Sequence, residues 1–128
     1  MKHNNSMRTP LARVRGLGSA KSGLHHWWHQ RLTAIALVPL MVATILVVAN
    51  IGTLDYAGAV ALMASPFIAA LLLLLVLVGF YHAALGIQVV LEDYVAAEGK
   101  RLVLIIFVKM ALFALATLTI LSILKISL

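Results

Sequence analysis

The chain has 128 residues, of which 63% are hydrophobic and 11% are charged, and its mean hydropathy is +1.07. This composition excludes an ordinary water-soluble domain and indicates an integral membrane protein. Because there is no cysteine, disulfides, thiolate metal sites and cysteine-bound iron–sulfur clusters are excluded as well. The net charge of +6 does not point to nucleic acid, since six of the ten basic residues precede the first apolar stretch, as is typical of a segment beside anionic lipid.

The first 22 residues are basic, contain no acid and show little apolar periodicity. We interpret them as a flexible tail, although a mitochondrial transit peptide has a similar composition. The remainder, residues 23–128, is predicted to form one membrane-anchor domain. It begins with GLHHWWHQR, whose tryptophans and histidines are typical of the membrane–water interface.

Three apolar stretches follow, each with the roughly 20 residues that a helix needs to cross about 30 Å of hydrocarbon. The sequence therefore predicts an all-α protein with three transmembrane helices, over about residues 32–50, 66–91 and 102–123. Pro39 is expected to kink the first helix, because proline lacks a backbone donor. The segment NIGTLDYAG is predicted to be a short polar turn, and EDYVAAEGKR a charged loop.

The orientation follows from the distribution of basic residues. Six lie before the first span, Lys100 and Arg101 lie in the loop after the second, and Lys125 alone lies on the opposite side. The positive-inside rule predicts a cytoplasmic amino terminus and a periplasmic carboxyl terminus.

His82 lies within the second apolar stretch, ten residues before Glu92. That separation is about 15 Å along a helix, near the middle of the hydrocarbon layer, where an ionisable group usually has a function. Gly86 and Gly79 fall about 40° and 60° from His82 around the helix, so one face carries a histidine flanked by glycines. A haem, with imidazole as axial ligand, fits this face.

Two alternatives stay open for this face. The glycines equally suit the close approach of another helix, and His82 could bond only to a backbone carbonyl. If haem binds, its second axial ligand is expected from a partner subunit. The other histidines, at positions 3, 25, 26 and 29, precede the first span, and Met41 and Met110 are only possible candidates.

Polar residues near the predicted cytoplasmic boundary complete the candidate site. Arg31 and His25 are suitably placed in depth to meet haem propionates, although an arginine at a span end also commonly anchors its helix. Tyr94 could donate to a quinone carbonyl and Asp93 could relay protons, with an aromatic belt as the alternative for the tyrosine. Lys109 is interpreted as a residue that extends its amine to the interface.

The motif pattern resembles the hydrophobic membrane-anchor subunit, or D subunit, of bacterial succinate dehydrogenase. The resemblance rests on Gly-x-His ending at His25, Arg31 six residues later, and His82 followed at eleven and twelve residues by Asp93 and Tyr94. It covers about residue 23 to the end. The family often has Asp after Gly-x-His, whereas this chain has His26.

The resemblance implies a subunit of respiratory complex II that is not catalytic by itself and serves electron transport and the tricarboxylic acid cycle in a bacterial inner membrane. It implies a haem b shared with a second anchor subunit, with His82 as one axial iron ligand and Arg31 and His25 near the propionates. It also implies a ubiquinone site with Tyr94 and Asp93, and docking of an iron–sulfur subunit and a flavoprotein subunit.

Two rival functions make different predictions. A small proton-coupled transporter or channel that uses His82 would need an intramembrane acid as its partner, and the first and third spans offer none. A purely structural, haem-free anchor would show no haem absorbance.

Overall fold

The computed structural model describes residues 9–15 and 23–128, and these residues form five helices. The helices are α1 (Pro10–Val14), α2 (Gly23–Ile51), α3 (Tyr56–Met63), α4 (Pro66–Tyr94) and α5 (Glu98–Ser127). The predicted tail lies mostly outside the described residues. Its described part contains the five-residue helix α1.

Among the described residues, three helices are long and apolar enough to cross a membrane. They correspond to the three predicted spans. Helices α2, α4 and α5 have 29, 29 and 30 residues. At ~1.5 Å per residue each is about 45 Å long, which exceeds the ~30 Å of hydrocarbon. The helices therefore extend beyond the predicted spans. The prediction of a charged loop over EDYVAAEGKR is wrong for most of that segment, since α4 continues to Tyr94, α5 begins at Glu98 and only residues 95–97 connect them.

The largest extension is at the start of α2, where the tryptophan- and histidine-rich segment is already helical from Gly23. This helix also continues on both sides of Pro39. Its interfacial first turns thus belong to the same continuous helix as its apolar part. The residues of α2 before Leu32 therefore continue the helical faces formed by the apolar residues that follow.

The short helix α3 was not predicted, and the predicted turn is wrong from Tyr56 onward. Asp55 caps this helix by accepting a hydrogen bond from the backbone N–H of Gly58 at 2.9 Å. Such a cap satisfies one of the free donors at a helix start, which lets an eight-residue helix form after a tight turn. Helix α4 then begins with Pro66 at its first position, where a missing N–H costs nothing.

Helix α4 is the central helix of the domain. It packs against both α2 and α5, whereas the backbones of α2 and α5 do not approach each other closely within the described ranges. Only Ala69, Leu85 and Ile123 are buried among the described residues. Almost all of the apolar surface therefore remains to be covered by lipid or by another membrane protein.

Candidate functional site

His82 lies in the second half of α4, on the face that packs against α2. Its ring is half-buried and touches two polar side chains of α2. The Nδ1 atom lies 2.8 Å from the Thr33 hydroxyl, and the Nε2 atom lies 3.3 Å from the side-chain nitrogen of Gln30. The predicted histidine is thus held between two membrane helices, about 18 Å along the axis from the end of α4 at Tyr94.

The Thr33 hydroxyl also contacts the backbone of its own helix. Its oxygen lies 2.7 Å from the carbonyl oxygen of His29 and 3.1 Å from that of Gln30. A carbonyl only accepts hydrogen bonds, so the hydroxyl proton is best placed toward it, as in the usual back-bonded threonine of a helix. The hydroxyl oxygen is then left to accept from His82 Nδ1–H.

The Gln30 side chain contacts the other ring nitrogen of His82, and this contact is weaker than that of Thr33. A 3.3 Å contact between two nitrogens is long for a hydrogen bond, and the Gln30 carbonyl oxygen is buried with no partner among the described residues. A Cβ on Gly86 would lie 3.4 Å from the Gln30 nitrogen. Gly86 thus lies at the contact between α2 and α4, next to this amide.

A polar cavity of about 520 Å³ opens beside this contact, toward the start of α2. Its walls come from the first two turns of α2 and the last three turns of α4, and the polar residues among them are His25, His26, His29, Gln30, Gln88 and Glu92. The Nε2 atom of His26 is buried here without a partner in the described structure. Gln88 donates to Glu92 at 2.7 Å.

A second contact between α2 and α4 joins His29 and Tyr81. The Tyr81 hydroxyl lies 3.2 Å from His29 Nδ1, and the two rings meet edge to face with their centroids 6.0 Å apart. The His25 ring lies one turn away, 6.2 Å from the His29 ring. The i, i+4 spacing of His25 and His29 thus produces neighbouring rings on one face of α2.

The two residues predicted to meet haem propionates lie on exposed faces of α2. The Arg31 guanidinium lies 5.5 Å from the centre of the Trp27 ring, as a cation–π contact. His25 is exposed and borders the polar cavity. The structure places both residues at the same end of the domain as His82, and neither belongs to the contact that holds the His82 ring.

The two residues predicted to meet quinone form the exposed end of α4. Tyr94 is the last residue of the helix and is 85% exposed, and Asp93 is exposed beside it. They lie about three turns beyond His82 along the helix. The structure therefore separates this pair from the histidine contact while keeping both on one helix.

Other candidate ligands are less well placed. The described residues contain no group of three or more His, Cys, Asp or Glu side chains that could hold a metal ion. Met41 follows Thr33 by eight residues on α2, or about 12 Å, and Met110 is on α5, across the domain. Lys109 borders an apolar groove between α4 and α5 beside Tyr81.

Comparison with known proteins decides the family. Residues 5–116 match the family described as the succinate dehydrogenase/fumarate reductase transmembrane subunit. Similar proteins named as hydrophobic membrane anchor subunits of succinate dehydrogenase occur in Rickettsia bellii, with 38% identity over 86% of this chain and 86% of the relative, and in Rickettsia conorii, with 37% identity over the same shares. A relative with the same name from Paracoccus denitrificans is 35% identical over 77% of this chain and 76% of its own length. The chain belongs to the succinate dehydrogenase/fumarate reductase transmembrane subunit family.

This membership confirms the resemblance to succinate dehydrogenase anchor subunits that the motif pattern predicted. It agrees with the interpretation of the chain as a membrane component of an enzyme complex, because its relatives are named as anchor subunits. The three apolar helices agree with a multi-pass membrane protein.

Thr33 and Gln30 contact His82, but neither was predicted from the sequence as a residue of the site. Both are polar residues inside a largely apolar helix, three positions apart and therefore on neighbouring faces. Two polar residues at this spacing in an apolar helix are the signal by which the contact could have been found. What the sequence did not show is that this part of α2 faces His82 on α4.

Proposed function

We propose that the chain is a membrane-anchor subunit of succinate dehydrogenase, the succinate:ubiquinone oxidoreductase of respiratory complex II. In this proposal it shares a haem b with a second anchor subunit, helps to form the ubiquinone-reduction site, and docks the iron–sulfur and flavoprotein subunits. The observation that carries the proposal is the placement of His82 within the membrane span of a family member, with one ring nitrogen anchored by Thr33 and the other facing only a neutral amide.

The surroundings of His82 fit a haem ligand. A ligating imidazole normally donates its second N–H to a fixed acceptor, and the Thr33 oxygen at 2.8 Å can serve as that acceptor. Gln30 would have to leave Nε2, and its long contact and unpartnered oxygen make this displacement inexpensive. When bound, the haem would supply one-electron redox chemistry.

The chain offers His82 as one axial ligand, so the second is proposed to come from a partner anchor subunit. Nearly every apolar side chain of the described helices is exposed or half-buried, and α2 and α5 flank α4 without closing into a bundle. An open layer of three helices of this kind suits packing against further transmembrane helices. This requirement supports a heteromeric complex.

Arg31 and His25 are proposed to bind the haem propionates. Both are exposed near the start of α2, and a guanidinium or an imidazole can donate to a carboxylate. Arg31 needs only a change of side-chain torsions to leave Trp27, since an exposed cation–π contact contributes about 0.5–1 kcal/mol.

Tyr94 and Asp93 are proposed to serve the ubiquinone site. A tyrosine hydroxyl that is 85% exposed can donate to a quinone carbonyl, and a carboxylate beside it can take up a proton from water for delivery during reduction. The first turn of α5, next to this end of α4, carries Lys100 and Arg101, so the positive-inside rule favours a cytoplasmic location for this end. We therefore place the docked soluble subunits on this side of a bacterial inner membrane, with the carboxyl terminus in the periplasm.

The test is the reduced-minus-oxidised visible spectrum of the complex purified through this chain, with wild-type sequence and with His82→Ala. We expect the b-type bands to be lost or strongly reduced in the variant. His29→Ala is the matched control, because His29 also contacts the other helix of the pair, through Tyr81. Unchanged bands in His82→Ala would contradict the ligand assignment.

One observation favours a haem-free structural anchor as the second candidate. Both ring nitrogens of His82 already have a polar neighbour within the chain, so the ring can act as a bridge between α2 and α4. A wild-type complex that lacks b-type bands would favour this function. The transporter hypothesis gains no support here, because the polar neighbours of His82 are neutral rather than acidic.

A further inference from the structure

We propose that Thr33 is a positioning residue that fixes which nitrogen of His82 is free to bind iron. This inference rests on the proposed function, because it concerns the nitrogen that would ligate the haem. Thr33 accepts the Nδ1–H of His82, so the Nε2 lone pair is the one presented to a ligand. Nothing in the one-dimensional pattern of histidines distinguishes the two nitrogens.

The assignment follows from the number of protons in the contact. The Thr33 hydroxyl has one proton, and its oxygen is 2.7 Å from the His29 carbonyl and 2.8 Å from His82 Nδ1. If the hydroxyl donates to the carbonyl, both short contacts are hydrogen bonds only when Nδ1 carries a proton. A neutral imidazole has one N–H, so Nε2 is then unprotonated, and the Gln30 amide nitrogen donates to it.

The two neighbours of His82 differ in stiffness, which gives them different roles. Thr33 is β-branched and is bonded to its own helix, so its oxygen has a fixed position and holds the ring plane. Gln30 has three side-chain torsions and a long contact, so it can swing away from Nε2. The chain thus has a rigid partner on the structural nitrogen and a movable one on the ligand nitrogen.

The hydrogen bond also affects the electronic properties of the ligand. An acceptor on Nδ1–H increases the electron-donating strength of Nε2 and thereby favours ferric over ferrous iron. Removal of that acceptor is expected to weaken haem binding and to raise the midpoint potential of the haem. Loss of such an outer partner typically lowers affinity at a metal site about 10- to 100-fold.

The experiment compares Thr33→Val, Thr33→Ser and Thr44→Val in the purified complex. Valine removes the acceptor with little change in shape, and serine restores the acceptor. Thr44 is the matched control, since it lies on the same helix and its hydroxyl bonds the Leu40 carbonyl at 2.8 Å. The readouts are haem retained per complex, the redox titration of the b-type bands, and the electron paramagnetic resonance signal of the ferric haem.

We expect Thr33→Val to have a higher midpoint potential, an altered ferric signal and a loss of haem on washing. Thr33→Ser and Thr44→Val should resemble wild type. Thr33→Ala is a second variant that lacks the acceptor and avoids the extra methyl group, and it should show the same shift in potential. Wild-type potential and spectrum in both Thr33→Val and Thr33→Ala would overturn the role of Thr33 while leaving haem binding by His82 intact. A wild-type complex without haem would overturn the proposed function itself.

Discussion

The Gln30 side-chain nitrogen lies 3.3 Å from His82 Nε2, and the carbonyl oxygen of the same amide is buried without a partner in the described chain. One end of the side chain thus makes a weak bond while the other end is left unsatisfied. A net hydrogen bond contributes about 1 kcal/mol, whereas an unsatisfied buried polar atom costs about 1–3 kcal/mol. The two effects oppose each other, and the cost is at least as large as the gain.

From this balance we expect Gln30→Leu to assemble as well as wild type and to keep its haem content within about twofold. The measurement is haem per complex from the visible spectrum. Gln88→Leu is the control, because that glutamine donates to Glu92 instead of contacting His82. A haem loss in Gln30→Leu as large as that of His82→Ala would show that Gln30 holds the cofactor or the ring itself.

Gly86 lies where α4 packs against α2. A Cβ at this position would lie 3.4 Å from the Gln30 nitrogen, at the lower edge of ordinary van der Waals contact, and Gly86→Val adds two methyl groups beyond that Cβ. Overpacking of this kind costs about 1–3 kcal/mol, so we expect less assembled complex and less haem. The measurement is the fraction of complex that survives a detergent titration.

Gly99→Val provides the comparison for Gly86, because a Cβ on Gly99 would meet nothing within 4 Å. Equal resistance of Gly86→Val and Gly99→Val to detergent would contradict the packing role of Gly86. Such a result would mean that α2 and α4 leave enough space near His82 for a larger side chain.

For the proposed quinone site, Tyr94→Phe should lower quinone reduction while leaving electron transfer from succinate to a soluble dye unchanged. Loss of one hydrogen bond to the reacting carbonyl, of about 1–1.5 kcal/mol, predicts a reduction of about five- to tenfold in the quinone rate. The measurement is the ratio of the two activities. Tyr56→Phe is the matched control, since Tyr56 is 86% exposed and Tyr94 is 85% exposed, but Tyr56 begins α3 at the other end of the domain.

If Tyr94→Phe and Tyr56→Phe give the same activity ratio, Tyr94 does not bond the quinone. A parallel fall of both activities in Tyr94→Phe would instead indicate that the complex assembles incorrectly.

The cap of α3 gives a prediction about stability. Asp55→Ala removes the acceptor of the Gly58 N–H bond and should destabilise this helix by about 1 kcal/mol, since alanine cannot cap. Amide hydrogen exchange of residues 56–63 would then be about fivefold faster. Asp55→Asn keeps a capping oxygen and should preserve the protection.

Gly58→Ala tests the same cap from its other side. An added Cβ would lie 2.9 Å from the Asp55 carboxylate oxygen and would displace it. We expect exchange as fast as in Asp55→Ala. Wild-type protection in both alanine variants would exclude Asp55 as the determinant of α3.

The long helices were predictable because a membrane span requires a continuous apolar run of known length, and three such runs were present. Their outer turns were not predicted, since apolar length marks the hydrocarbon and polar interfacial residues can continue a helix beyond it. Helix α3 was missed because its start depends on one side-chain cap at Asp55, and a polar turn was an equally good interpretation of that segment.

His82 could be selected from the sequence, because an ionisable side chain in a long apolar run is rare and usually functional. Arg31, His25, Asp93 and Tyr94 could be selected by their position at the interface and by family resemblance. Their proposed roles stay predictions.

The amino-acid sequence by itself determined the number of apolar helices, the presence of a histidine within one of them and the family, because these depend on hydropathy, spacing and motif order along one chain. Tertiary structure alone decided that Thr33 and Gln30 meet the two nitrogens of His82, since that depends on the rotation and depth at which α2 packs against α4. A helix shows its own faces in its sequence, but which face meets a neighbour is set by the packing of both helices together.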